Sequence, residues 1–88
     1  MFKGKFTLRD NVFRQLLKDL RIEKGLSQRA LARRLKVPQS YVSKYETGER
    51  RLDFVETVYL CEALGLGIEQ FVKAFLEKVA HARRRKDV

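Results

Sequence analysis

The chain has 88 residues, which is the size of one small domain, and its few Pro, Gly and Ser residues leave no internal linker. Its hydrophobic content of 44% excludes a mostly disordered chain. One cysteine excludes a disulfide framework, and no apolar run suits a signal peptide or a membrane span, so we expect a soluble cytoplasmic protein.

The net charge of +9 is concentrated in one stretch and at both ends of the chain. Residues 27–51 carry seven Lys or Arg and two Glu, whereas residues 52–80 have a net charge of −3. Residues 1–9 and 81–88 each contribute +3. Basic runs are often no more than solvated faces, but a polarised distribution is also typical of a surface that faces a polyanion.

The N-terminal part of the chain predicts a loose arm followed by a helix. Residues 1–9 have no helical period, and we interpret them as a flexible basic arm that precedes a folded domain over residues 10–80. Asp10 or Asn11 can cap the first helix, and Gly25 is suited to end it. Four apolar residues form a stripe at helical spacing along this helix, namely Phe13, Leu16, Leu17 and Leu20.

Two short helices joined by a turn are predicted within the basic stretch. Ser27 can cap a helix over about residues 28–35, and Pro38 favours a new helix that begins at Gln39. Gly48 is the expected left-handed stop of this second helix. Two short helices separated by about four residues form a helix-turn-helix.

The second of these helices has a polar face that is unusual for a helix merely exposed to water. Val42 and Tyr45 are spaced to face the core. The other face carries residues that are polar and mostly uncharged, namely Gln39, Ser40, Ser43, Lys44 and Thr47. Solvated helices usually carry Glu–Lys pairs, whereas this face is suited to hydrogen bonds with the edges of DNA bases.

Two further helices are predicted after the basic stretch. Asp53 and Glu56 form a capping-box pattern for the fourth helix, whose apolar positions include Phe54 and a buried, unreactive Cys61. A fifth helix extends from about Ile68 to His81. Its last apolar residues exceed what a small core needs and predict a homodimer interface, namely Phe75, Leu76 and Val79. Residues 81–88 are interpreted as a disordered basic tail.

The string GLSQRALARRLKVPQSYVSKYETGERR, followed by ALGL, resembles the Cro/C1-type helix-turn-helix family, also called the XRE family. The resemblance covers about residues 13–71. It implies an all-α, lambda-repressor-like domain of five helices, in which the second and third helices form the helix-turn-helix. The long C-terminal helix exceeds the minimal family domain, and Pro38 replaces the Ser or Thr that often caps the third helix.

The resemblance also implies roles for individual residues. Gln28 matches a glutamine that binds phosphate and braces the first residue of the third helix, here Gln39. Base contacts are expected from Gln39, Ser40, Ser43 and Lys44. Phosphate contacts are expected from Gln28, Arg29, Tyr41, Thr47, Arg50 and Arg51. Arg21 and Glu46 match a structural arginine–acid pair that joins the first helix to the third.

The sequence therefore predicts a DNA-binding transcriptional regulator, with a repressor favoured, that acts as a homodimer on pseudo-palindromic double-stranded DNA. An antitoxin-type DNA-binding protein, whose fifth helix binds a small partner protein, is the alternative. An enzyme is disfavoured because the single histidine, His81, lies near the tail, and no metal cluster, phosphate loop or paired nucleophile is evident. We expect no cofactor, no metal and no membrane association.

Overall fold

The computed structural model describes residues 7–86, which form five helices around one core. In this part of the chain the helices are α1 (Leu8–Glu23), α2 (Gln28–Leu35), α3 (Gln39–Thr47), α4 (Phe54–Ala63) and α5 (Ile68–Lys86). None of these helices has both the length and the apolarity needed to cross a lipid bilayer. The all-α, five-helix prediction is confirmed.

The core is built from the apolar faces that the periodicity predicted. Leu17, Leu31, Val42 and Cys61 are completely buried, and Phe13 packs edge-to-face on Phe71 with ring centroids 5.8 Å apart. α2 packs against α3 and α4, while α1 packs against α3 and α5. The two helices of the helix-turn-helix are thereby held by α1 and α4, and α5 packs in turn on α1 and α4.

The first helix begins earlier than predicted, so the assignment of Asp10 or Asn11 as its cap is wrong. Thr7 is the N-cap, and its hydroxyl oxygen accepts a hydrogen bond from the backbone N–H of Asp10 at 3.1 Å. Arg9, assigned to the arm from sequence, is therefore helical. The rest of the predicted arm, residues 1–6, lies outside the described residues.

The last helix extends further than predicted, and the disordered tail expected from residue 81 is wrong for residues 81–86. These residues continue α5 as far as Lys86. A run of basic residues suits this position, since positive side chains interact favourably with the carbonyl groups at the C-terminal end of a helix. Residues 87–88 lie outside the described part.

Three helices end with the same backbone arrangement, although one of them lacks the usual glycine. After α1 and α4, Gly25 and Gly65 take φ angles of 71° and 74°. After α2 the equivalent residue is Lys36, with φ 59°. In each case the backbone N–H of the following residue donates a hydrogen bond to the carbonyl oxygen five residues earlier, as Val37 does to Ala32 at 3.0 Å. The turn of the helix-turn-helix therefore holds a lysine in a conformation that favours glycine.

Candidate nucleic-acid interface

α3 presents its polar face to solvent, as its sequence predicted. Gln39, Ser40, Lys44 and Thr47 are exposed and Ser43 is half-buried. On the opposite side Val42 and Tyr45 are buried in the core. Pro38 is the N-cap and makes no side-chain hydrogen bond, so the first turn of α3 leaves backbone N–H groups uncapped at its exposed end.

Exposed cations on α2, on the turn after it and on α3 itself form no ion pair with acids of the described chain. Ser27 caps α2 through a hydrogen bond from the Ala30 N–H at 3.0 Å. The following turns carry arginines on the outer side of α2, away from buried Leu31. Within residues 7–86 no ion pair is formed by Arg29, Arg33, Lys36 or Lys44. These four charges therefore remain available to an external polyanion.

A buried ion pair fixes α3 against α1. Arg21 Nε lies 2.8 Å from Glu46 Oε2, and the two side chains are only 10% and 4% exposed. Arg21 also donates to the Leu26 carbonyl at 2.8 Å, just beyond the end of α1. The hydrogen bond to Glu46 raises the pKa of the Arg21 guanidinium, which therefore remains charged. The predicted arginine–acid pair is present in the structure.

Gln28 joins this pair, and the expected bracing of Gln39 by Gln28 is wrong in the structure. The Gln28 amide Nε2 donates to Glu46 Oε1 at 2.9 Å. A carboxylate is a stronger acceptor than a neutral amide, which explains the preference for Glu46 over Gln39. Three side-chain hydrogen bonds converge on Glu46, two from Arg21 and one from Gln28.

A second cluster, formed by Tyr41, Arg50 and Glu56, joins α3, the following loop and α4. Arg50 Nη2 lies 2.7 Å from Glu56 Oε2, and its guanidinium carbon lies 4.3 Å from the centre of the Tyr41 ring. The Tyr41 hydroxyl donates to the same carboxylate oxygen at 3.1 Å. The hydrogen bond from Arg50, followed by that from the Asp53 N–H, lowers the pKa of Glu56 to about 2.

The predicted capping box is confirmed, and it accounts for only half of what Glu56 contacts. Asp53 Oδ1 accepts from the Glu56 N–H at 2.7 Å, and Glu56 Oε1 accepts from the Asp53 N–H at 2.9 Å. The other carboxylate oxygen, Oε2, accepts hydrogen bonds from Arg50 and Tyr41. Local spacing indicated the cap, but the contact with Tyr41 spans fifteen residues and had no local signal.

The other loop arginine is also paired. Arg51 Nη2 lies 3.1 Å from Asp10 Oδ1, which ties the loop to the first turn of α1. Partial burial raises the pKa of Asp10, but the hydrogen bond from Thr7 and the charge of Arg51 outweigh it, so the pKa lies below its ordinary value. Both predicted phosphate-contacting arginines of the loop are thus held by acids in the free protein.

Of the three residues predicted to form a dimer interface, only one is well exposed. Val79 is 4% exposed. Phe75 is half-buried, and its ring packs edge-to-face on Phe13 of α1 with the centroids 6.3 Å apart. The prediction that these apolar residues are left exposed by the monomer core is therefore wrong for Val79 and only partly right for Phe75. Leu76 is 58% exposed.

Apolar surface is also present at the start of α4. Phe54, which the sequence assigned to the apolar side of that helix, is 68% exposed because it lies in the first turn, at the edge of the core. It lines one wall of a groove of about 260 Å³ between α4 and α5, and Val72 lines the other. Leu76 follows Val72 one helical turn further along α5.

Comparisons with known proteins agree with this architecture. A family model described as "Helix-turn-helix domain" matches residues 12–72, and a search of curated protein sequences gives no match. An XRE-family like protein from Pseudomonas syringae pv. tomato str. DC3000 is 38% identical, with a TM-score of 0.69 and coverage of 84% of this chain and 85% of that one.

Two other solved structures share the fold at lower identity. A mutant of the restriction-modification controller protein C.Esp1396I has a TM-score of 0.79 at 20% identity, covering 84% of this chain and 99% of that one. The clp gene regulator ClgR from Corynebacterium glutamicum has a TM-score of 0.78 at 24% identity, covering 96% and 88%. With the match over residues 12–72 and the relative at 38% identity, the chain belongs to the XRE family of helix-turn-helix DNA-binding proteins.

Proposed function

We propose that this XRE-family protein is a transcriptional regulator, acting as a repressor, whose homodimer binds a pseudo-palindromic site in double-stranded DNA. The observation that carries the proposal is the exposed polar face of α3, together with exposed cations on α2, the turn and α3 that form no ion pair with acids of the described chain. Two proteins of similar fold are a restriction-modification controller and a clp gene regulator, which supports a regulatory role over an enzymatic one.

The proposed docking places α3 in the major groove with α2 across the backbone, as in other helix-turn-helix proteins. The exposed amide of Gln39 can pair with adenine, and Lys44 has the reach to contact guanine. Ser40 and Ser43 complete the proposed base-contacting set. These side chains would read the sequence, since hydrogen bonds to base edges carry the sequence information in protein–DNA complexes.

Phosphate contacts are proposed for the residues around this face, with one qualification from the structure. Arg29 and Thr47 are exposed, whereas the Gln28 amide must share its hydrogen bonds between Glu46 and the DNA. The remaining members of this set, Tyr41, Arg50 and Arg51, already contact acids of the protein. The proposed phosphate contacts would fix the position of α3 along the duplex, but they would not distinguish one base sequence from another.

We place the dimer interface on the groove between α4 and α5, where Phe54 and Val72 are exposed, and on exposed Leu76 one turn further along α5. Removal of this apolar surface from water would favour self-association, because a chain of 88 residues buries a modest share of its surface alone. Two reading helices related by a two-fold axis would contact half-sites about 34 Å apart. The same groove could instead take a small partner protein, as in an antitoxin-type protein.

Selection of bound duplexes from a random DNA pool tests the function directly. The expected result is an enriched inverted repeat whose half-sites are about one helical turn apart. The absence of any enriched motif would contradict sequence-specific binding, and a single half-site without symmetry would contradict the dimer.

Sedimentation velocity tests the dimer interface independently of DNA. The purified chain should sediment as a dimer at micromolar concentration, and Leu76→Glu should make it monomeric. Ile22→Glu is a matched control, since Ile22 is similarly exposed, 56% against 58%, but lies at the end of α1. A second small protein that co-purifies in stoichiometric amount would favour the antitoxin-type alternative.

A further inference from the structure

Glu56 occupies the junction between the DNA-facing loop and the rest of the domain. One of its carboxylate oxygens caps α4 through the Asp53 N–H at 2.9 Å. The other accepts hydrogen bonds from Arg50 at 2.7 Å and from Tyr41 at 3.1 Å. A single acid thus connects the start of α4 to two residues proposed to contact phosphate.

Arg50 contacts an aromatic ring, an acid and two backbone carbonyl groups. Its guanidinium lies over the Tyr41 ring at 4.3 Å, and Nη1 donates to the Arg51 carbonyl at 3.3 Å. Its backbone N–H donates to the Lys44 carbonyl at 3.2 Å, which links the loop to α3. Ion pairing, stacking and the backbone bond together define one position for Arg50 relative to the base-contacting face.

This arrangement affects how Arg50 would respond to DNA. A mobile arginine can reach a phosphate in any loosely docked complex, and such contacts supply most of non-specific affinity. An arginine fixed relative to α3 meets a phosphate only when α3 is seated in the groove. The adjacent negative charge of Glu56 also weakens the attraction of Arg50 for phosphates in loosely docked complexes.

We propose that Glu56 is a specificity-determining residue that, by tethering Arg50, limits the binding of this protein to non-specific DNA. It acts as a positioning residue and makes no base contact itself. The inference rests on the proposed function, since it assumes that the loop after α3 faces the DNA backbone.

The decisive variant is Glu56→Gln, which removes the charge and retains an oxygen that can accept the capping bond from Asp53. Glu56→Gln should bind random-sequence duplex roughly threefold more tightly at low salt. A plot of the logarithm of its binding constant against the logarithm of the salt concentration should be steeper by about 0.9, the value for one additional phosphate contact. Affinity for the selected site should rise less, so the ratio of specific to non-specific affinity should fall.

Two controls separate tethering from a general effect of charge. Glu62→Gln makes the same change in net charge on the same helix, at an exposed acid without an ion pair among residues 7–86, and should leave the ratio unchanged. In an Arg50→Ala background, Glu56→Gln should have no further effect on non-specific affinity. Persistence of the effect in that background would overturn the inference, because Glu56 would then act on the DNA directly.

The experiment also distinguishes failure of this inference from failure of the proposed function. If the unmodified protein prefers no sequence over random duplex, sequence-specific regulation fails, and the inference fails with it. If the unmodified protein discriminates but Glu56→Gln has the same affinity ratio, only the role of Glu56 is refuted. Thermal unfolding of each variant verifies that the measured protein is folded.

Discussion

Arg21 and Glu46, twenty-five residues apart, form a two-pronged ion pair, with Nε to Oε2 at 2.8 Å and Nη2 to Oε1 at 3.1 Å. The pair holds α3 on the side opposite its exposed polar face. Glu46 lies in the helix proposed to read DNA, but its side chain is buried in the protein. We therefore expect Glu46 to stabilise the fold and to make no contact with bases.

Glu46→Ala should lower the free energy of unfolding by about 3 kcal/mol, because it leaves a buried guanidinium without its counterion. Glu46→Gln should lower it less, since the amide oxygen can still accept a hydrogen bond from Arg21. Urea titrations followed by circular dichroism measure both values. An unchanged unfolding midpoint for Glu46→Ala, combined with an altered sequence preference, would show that Glu46 reads DNA instead.

Lys44 and Arg29 should differ in how they contribute to DNA binding. Lys44→Ala should cost roughly 1–3 kcal/mol at one base position and relax the preference there. Arg29→Ala should weaken binding to all sequences and reduce the salt slope by about 1. Titrations of a panel of single-base operator variants, at several salt concentrations, measure both effects. Equal losses on every sequence for both variants would refute the division into base and phosphate contacts.

Lys36→Gly should stabilise the protein, because Lys36 has a φ of 59° at a position where α1 and α4 are followed by glycine. A left-handed conformation costs a residue with a Cβ about 1 kcal/mol, so we expect a gain of that order. Lys36→Ala is the control, since it removes the same charge but keeps the Cβ, and its stability should match that of the unmodified protein. A stabilised Lys36→Ala would indicate that charge repulsion, not backbone strain, is relieved.

Tyr45→Phe should raise the free energy of unfolding. The Tyr45 hydroxyl is buried and has no hydrogen-bond partner among residues 7–86, and burial raises the pKa of the phenol. Removal of an unsatisfied polar group avoids its desolvation cost, so a gain of about 1 kcal/mol is expected. Chemical denaturation measures it, and a loss of stability would show that the hydroxyl has a partner in solution.

Stability should decrease in acid partly because of Glu56. Its pKa is about 2 in the folded protein against an ordinary value of 4.5, so the folded state favours the ionised form. The resulting stabilisation is complete above pH about 4.5 and is lost as the pH falls towards 2. The stability difference between the unmodified protein and Glu56→Gln should therefore shrink over this range. A difference that is constant with pH would contradict the assignment.

The sequence predicted the local features of the fold well. The caps at Ser27 and Asp53, the stop at Gly48 and the apolar face around Leu17 depend on residues a few positions apart. The start of α1 at Leu8 is earlier than predicted, because Thr7, Asp10 and Asn11 are all suitable N-cap residues and the local sequence does not decide among them. The extent of α5 differs from the prediction because a basic run is typical of a disordered tail and equally of the C-terminal end of a helix.

The pairing of the interface arginines could not be predicted from local patterns. Arg51 and Asp10 are forty-one residues apart in sequence, and their contact depends on how α1 lies against the loop after α3. The same holds for the burial of Val79, which the spacing of apolar residues along α5 does not specify. The resemblance indicated the Arg21–Glu46 pair but not that Gln28 would join it.

Cys61 can report local unfolding of the core around α4. It is the single cysteine of the sequence, it is completely buried, and burial raises the pKa of its thiol to about 11. A thiol reagent can therefore modify it only when the core around α4 opens, so the rate of labelling measures that opening without any engineered probe. The same measurement with and without duplex DNA would report how strongly binding and folding are coupled in this domain.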